Sequence, residues 1–326
     1  MRNKVQNDII KLLRCPKTKQ KLSLTKNGSY LVTIDKKNYF PIINKIPRFV
    51  EKSNYADNFG MQWNHFRRTQ LDSVSKTTIS YDRFFSATGW NKNKMRNKWI
   101  LDAGCGSGRF AEIALKTGAK VVALDYSSAV DAIYKNLKHH PNLFIVQGDI
   151  YKLPFAINFF DYIYCLGVLQ HTPNVENAFK CLLPFLKPKG HICVDFYWKR
   201  FRTLMHSKYI FRPITKNIPK NILFKFLEKN ITKLLAVSTM LGKIPFFGIA
   251  LKRIIPVANY VDVFPLSKKQ HVEWALLDTF DMLSPTYDKP QSIKSVKYFF
   301  DSANLINVEI FHASHLVGRG QKKIKS

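Results

Sequence analysis

"WILDAGCGSGRF", residues 99–110, sets three glycines, Gly104, Gly106 and Gly108, directly after a short apolar run that ends in Asp102. A glycine-rich turn between a strand and a helix lets a ligand approach bare main chain, and it offers free N–H groups at a helix N-terminus. The neighbouring sequence supplies that context. "KWILDAG" has the run of a buried strand, "RFAEIALKTG" of a helix closed by Gly118, and "KVVALD" of a second strand ending in Asp125. An acid about 20 residues beyond such a turn is placed to accept the hydroxyls of an adenosine ribose.

Outward from there the alternation continues: "AVDAIYKNLKHH" as helix, "LFIVQGD" as strand three, "FDYIYCLGVL" as strand four, "VENAFKCLLPFLKP" as helix and "GHICVDFY" as strand five. Near the end, "SIKSVKYFFDSAN" predicts a helix, and "NVEIFHA" and "HLVGRGQKK" a closing strand pair. This rhythm is that of a doubly wound α/β sheet. The dinucleotide fingerprint requires a third glycine at position 109, where this chain has Arg109, so NAD is the runner-up cofactor. At the end of strand three, Asp149 is suited to take an adenine amine, with Ile150 and Leu166 flanking the ring.

In this order the motifs "LDAGCGSGRF", "VVALDYSS", "QGDIYKLPF", "FDYIYCLGVLQHTPN" and "LLPFLKPKGHICV" resemble those of class I S-adenosylmethionine-dependent methyltransferases, of the type 11 kind. The resemblance covers about half the chain. It implies a Rossmann-like sheet of seven mostly parallel strands with an antiparallel last strand, and S-adenosyl-L-methionine as cofactor. It also implies that Gly104, Gly106 and Gly108 line the methionine part, Asp125 the ribose, and Asp149 and Ile150 the adenine, with Asp102 supporting the loop. Methyl transfer from a sulfonium needs positioning, exclusion of water and, for some acceptors, removal of a proton. His171, in "LQHTPN" after strand four, lies at the sheet edge where ligands bind and has the pKa class of a general base; a loop-capping role is the other reading. Tyr197, Asp278, Asp281, Ser284 and Tyr287 are further candidates for acceptor contacts.

The flanks divide the chain. Residues 1–50 read as a small β-rich module, with "NDIIKLL" as a short helix and "SYLVTI" and "NYFPII" as strands joined by "DKKN" and closed by "KIPRFV". "RCPKTKQKL" resembles a zinc ribbon, but Cys15 has no partner ligand in the module, so no metal is expected. Residues 51–98 form a helical linker that covers the cofactor, in which Phe59, Trp63 and Phe66 recur at helical spacing as core packing. "FGMQWNHFRRTQLD" and "WALLDTFDMLSPTYDKPQS" also resemble stretches of methyltransferases found with polysaccharide or secondary-metabolite genes. Residues 99–326 are the methyltransferase domain, carrying a helical lid insertion over 201–290.

The chain of 326 residues has 52 Lys+Arg against 22 Asp+Glu, a net charge of +30, enough to draw in anionic partners. The abundance of Lys, Asn and Ile is equally what an AT-rich coding sequence produces. The five cysteines share no paired spacing, which suits a reducing cytoplasm, and no signal peptide or membrane span is expected. Over 201–256, eleven Lys/Arg face the single acid Glu228, and Leu223, Phe226, Leu227, Ile231, Leu234 and Leu235 recur at helical spacing. That helix is a lid if its apolar face packs on the domain, or a peripheral membrane contact if the face meets a bilayer. The expected partner is a small-molecule acceptor, a sugar, lipid-linked compound or secondary metabolite. An RNA methyltransferase and a non-catalytic cofactor-binding or activator protein are the alternatives. No oligomeric state follows.

Overall fold

The structure, a computed structural model, describes residues 10–51, 54–200 and 206–324. Of the expected helix "NDIIKLL", residues 7–9 lie outside the described residues and residues 10–12 are helical. Four antiparallel strands follow it in order, β1 (Leu22–Leu24), β2 (Tyr30–Thr33), β3 (Tyr39–Ile43) and β4 (Ile46–Pro47). Helices α1 (Asp57–His65) and α2 (Ile79–Thr88) lead into β5 (Trp99–Ala103), α3 (Arg109–Lys116), β6 (Lys120–Asp125), α4 (Ala129–Leu137) and β7 (Leu143–Gln147). Then come β8 (Phe160–Cys165), α5 (Val175–Leu182), β9 (Leu186–Phe196), α6 (Ser207–Thr215), α7 (Lys220–Gly242), α8 (Lys268–Leu283), α9 (Ile293–Ser302), β10 (Leu305–Ala313) and β11 (His315–Lys322).

The seven-stranded sheet has the order β10-β11-β9-β8-β5-β6-β7. Strands β5 to β9 pair in parallel, while β11 pairs antiparallel with both β9 and β10. Strands covered on both faces read as near-continuous apolar runs, and Ile100, Leu101, Val121, Val122 and Ile163 are indeed fully buried. Between β5 and β8 the winding reverses direction. Crevices outside the carboxyl ends of the strands at such a reversal hold ligands in open α/β sheets.

Two boundaries differ from the sequence reading for stereochemical reasons. The helix expected to run to Pro188 stops at Leu182, because Pro184 forces a single tight turn, and β9 starts four residues early at Leu186. Strand four ends at Cys165, before Gly167, which sits at φ 78°.

The N-terminal sheet does not stand apart. Leu12, Leu13, Leu22, Leu31 and Phe40 share one core with Val146, Phe155 and Phe160 of the large domain. Arg48 fastens the join, its guanidinium donating to Gln147 at 2.8 Å and pairing with Asp131 at 2.7 Å. Cys15 is buried in that shared core, with the Thr18 N–H on its sulfur at 3.4 Å.

The insertion forms a helical layer. Leu223, Leu227, Ile231 and Leu235 of α7 pack with Leu276, Leu277, Phe280 and Leu283 of α8 and with Phe66. One expected member of that face is misplaced: Phe226 points outward and is 60% exposed, and Phe224 takes the inward position. The reason is phase, since 224, 227, 231 and 235 follow the helical period and 226 falls on the opposite side. No helix among the described residues is long and apolar enough to cross a membrane.

Candidate functional site

At the carboxyl ends of β5, β6, β8 and β9 lies a cavity of about 440 Å³, floored by the glycine turn and roofed by α1 and α8. Asp125, the last residue of β6, organises the floor. One carboxylate oxygen accepts the Gly106 N–H at 2.9 Å; the other accepts the N–H and hydroxyl of Ser127 at 2.9 and 2.7 Å. The Gly104 and Cys105 N–H groups meanwhile donate to the Leu124 carbonyl at 2.7 and 3.0 Å. Burial pushes the Asp125 carboxyl up from its ordinary value, and the Ser127 bonds pull the other way.

The glycines are demanded by what stands over them. A Cβ on Gly104, at φ 87°, would come within 2.4 Å of Val168, and one on Gly106 would meet the Trp63 indole at 3.0 Å. Gly104 and Gly106 face the cavity together with Asp125, Ile150 and Leu166. Gly108 does not: it opens α3 and packs against Ile133 and Leu137. Asp102 and Asp149 are also outside the wall. Asp102 is buried beneath the turn with its Oδ2 lacking a hydrogen-bond partner, and burial pushes its carboxyl to about 8, with Tyr164 beside it opposing. Asp149 caps the short 150–152 turn, accepting the Tyr151 N–H at 2.8 Å, and burial raises its carboxyl.

The opposite wall carries a cluster of ionisable side chains. His171 is almost fully buried, with Phe59 and Tyr197 against its ring at 5.2 and 5.4 Å. Its Nδ1 lies 3.0 Å from the Tyr287 carbonyl oxygen, which only accepts, so Nδ1 carries a hydrogen and, in the neutral ring, Nε2 presents the lone pair. That Nε2 has no hydrogen-bond partner and stands 4.0 Å from Asp281 Oδ2, to which the Tyr197 hydroxyl donates at 3.0 Å. Asp278, one helical turn earlier on α8, accepts the Tyr260 hydroxyl at 2.5 Å and the Gln70 amide at 3.3 Å; burial lifts its carboxyl to about 6 despite the Tyr260 bond.

His171, Tyr197, Asp278 and Asp281 therefore meet at one cavity, as their residue types suggested. Tyr287 and Ser284 do not. Tyr287 contributes its carbonyl to His171 while its ring packs on Tyr55 at 5.5 Å; Ser284 is fully buried and bonds Asn58 at 3.2 Å. The turn after α8 carries both side chains away from the helix face that bears 278 and 281.

Other groups at the wall went unnoticed in the sequence. Phe59 and Trp63 line the cavity, Trp63 also packing half-buried against the core of α7 and α8, and Phe66 is buried in that core. Tyr126, directly after Asp125, also lines the cavity and packs on Tyr55 at 5.0 Å. Arg83 holds Asp195 at 2.8 Å; burial alone would raise that carboxyl, and Arg83 keeps it below its ordinary value. Burial and the nearby Arg83 depress His315 to about 3, so it faces the cavity neutral. The one available signal was position: 83 lies in a helix entering the sheet edge, and 315 begins the last strand.

Residues 101–194 match the methyltransferase domain family. A ubiquinone biosynthesis O-methyltransferase of Coxiella burnetii is 29% identical over 128 residues, 37% of this chain and 55% of that protein. A sterol 24-C-methyltransferase of Saccharomyces cerevisiae is 36% identical over 150 residues, 44% of this chain and 37% of that one. Among solved structures, human N-acetylserotonin methyltransferase with S-adenosylmethionine aligns over 83% of this chain and 57% of its own at 12% identity and a TM-score of 0.43. The chain thus spans about half, or less, of the length of the curated relatives it matches. With the seven-stranded topology and the glycine turn at its switch point, this domain match makes the sheet domain a class I S-adenosylmethionine-dependent methyltransferase domain.

Proposed function

We propose that the chain transfers a methyl group from S-adenosylmethionine to a hydroxyl of a small-molecule acceptor, and that His171 takes the hydroxyl proton. The observation that carries this reading is the free Nε2 of a buried histidine whose tautomer is set by the Tyr287 carbonyl, at the cavity wall opposite the glycine turn. The residues present fit the cofactor, because Gly104 and Gly106 put bare main chain on the cavity wall beside Asp125, Ile150 and Leu166. Gly104 and Gly106 would hold its methionine part, Asp125 its ribose, and Ile150 and Leu166 its adenine. Bound there, it supplies a methyl group on a sulfonium centre for in-line displacement.

The chain's own part is positioning and proton handling. Trp63, Phe59 and Tyr55 roof the cavity and exclude water, which strengthens every polar contact inside. Asp281 fixes the Tyr197 hydroxyl and faces His171, so an imidazolium formed there is stabilised by the nearby carboxylate. Tyr197 and Asp278 contact the acceptor. The acceptor is a sugar, lipid-linked compound or secondary metabolite with a hydroxyl, whose oxygen takes the methyl group as its proton passes to His171. Five free cysteines favour a reducing compartment for the reaction.

The test is transfer of labelled methyl from S-adenosylmethionine into metabolite extracts, with wild type and His171→Gln. The expected result is label in a small organic molecule, with turnover lowered about 10²- to 10⁴-fold in the variant and cofactor affinity unchanged. Label in RNA, or unaltered turnover in the variant, contradicts the reading.

A further inference from the structure

The insertion has a second apolar face that nothing in the fold covers. Of the 22 large hydrophobic side chains exposed among the described residues, 12 fall between Ile210 and Val263. On α7, Ile222, Phe226, Val237 and Met240 are 41–64% exposed. With the exposed Lys229 and Lys233 they recur at steps of three and four residues, so they form one stripe along the helix. That stripe lies opposite the buried face of Leu223, Leu227, Ile231 and Leu235. Just beyond the helix, Phe246 is fully exposed and Phe247 is 68% exposed, beside Lys243.

Charge identifies the occupant. Between residues 206 and 263 the exposed cations are Lys216, Lys225, Lys229, Lys233, Lys243 and Arg253, and the exposed acids are only Glu228 and Asp262. The buried Lys208 and Arg212 share Asp288, so the exposed cations outnumber the exposed acids on the outer surface without drawing on that pair. A second copy of this chain would bring lysine against lysine across the same stripe. A nucleic acid would satisfy the lysines but offers no apolar phase for Ile222, Val237 and Met240. An anionic lipid surface offers both, headgroups for the lysines and an acyl boundary for the phenylalanines and aliphatic side chains.

We propose that this face of the insertion, α7 with the Phe246–Phe247 turn, docks the protein on the surface of an anionic bilayer. The buried face of α7 packs on α8, which roofs the cavity, while its outer face meets lipid, so docking ties the roof helix to the membrane surface. The attachment is interfacial, because no helix among the described residues is long and apolar enough to span.

Cosedimentation with phosphatidylcholine vesicles, with and without phosphatidylglycerol, tests this with the full chain. Binding is expected to the anionic vesicles only and to fall with salt. It should weaken roughly tenfold or more in Phe246→Ser/Phe247→Ser and in Lys229→Glu/Lys233→Glu. All four positions are exposed, and unchanged S-adenosylmethionine binding by both variants verifies that they fold. Equal binding to neutral vesicles, or anionic binding untouched by either pair, overturns the proposal. So does a wild type whose mass in solution is dimeric and becomes monomeric in the variants, which would make the face a self-association surface. Retention on RNA in place of vesicles overturns it as well. Cofactor binding is read separately, so failure of the methyltransferase reading would be distinguishable from failure of this one.

Discussion

Asp102 is the residue whose energetics run against its surroundings. Folding buries its carboxyl with Oδ2 unpartnered, and the folded group holds its proton to about pH 8, against an ordinary value of 3.8. The folded chain therefore binds a proton that the unfolded chain has lost over that whole window. Stability contributed by this group is full at low pH and falls as pH rises towards 8. Asp102→Asn, which stays neutral, should flatten that fall by roughly 3 kcal/mol between pH 5 and pH 8. Denaturant melts of the two proteins across the range measure it, and parallel pH dependences would show that Asp102 is ionised in the fold. Asp125 and Tyr197 stand at strand ends and Asp278 and Asp281 on one face of a helix, where sequence position predicts direction. Tyr287 and Asp149 were not legible, because a side chain in a turn can face either way and only the surrounding packing decides, and Gly108 was not because it opens a helix against Ile133 and Leu137.

Among the elements, α7 carries the sharpest contrast. Leu227 is buried against α8, whereas Phe226, one residue earlier, stands in solvent. Leu227→Ala should lower stability by about 2–5 kcal/mol through the cavity left behind, and Phe226→Ala by less than about 0.5 kcal/mol. Calorimetric melting separates them; comparable losses would mean that the helix is rotated from its described phase. The parallel strands and their helices were readable because buried β runs alternate with 3.6-residue periods. The inward face of α7 was readable apart from Phe226, which belongs to a second apolar stripe that the helical period alone does not separate from the first. Phe59 and Trp63 mislead for the same reason: a stripe that packs a core and one that roofs a ligand have the same period.

At the scale of the whole molecule, the N-terminal β unit and the large sheet share one apolar core, joined by Arg48 to Gln147 and Asp131. The docking of the small sheet was not legible, because its apolar residues look alike whether they pack on each other or on a neighbour. The full chain should consequently melt in one transition, and removing residues 1–50 should lower its thermal midpoint by exposing Phe155 and Phe160. Two resolved transitions, the larger unchanged on truncation, would mark an independent module. The central claim is that the glycine turn, Asp125 and the aromatic roof form an adenosylmethionine site, and titration calorimetry tests it most directly. S-adenosylmethionine and S-adenosylhomocysteine should bind at one site per chain, NAD should not, and Asp125→Ala should weaken binding by about 1.5–3 kcal/mol. Binding of NAD with no heat from either adenosyl ligand, or an affinity indifferent to Asp125, would contradict the account.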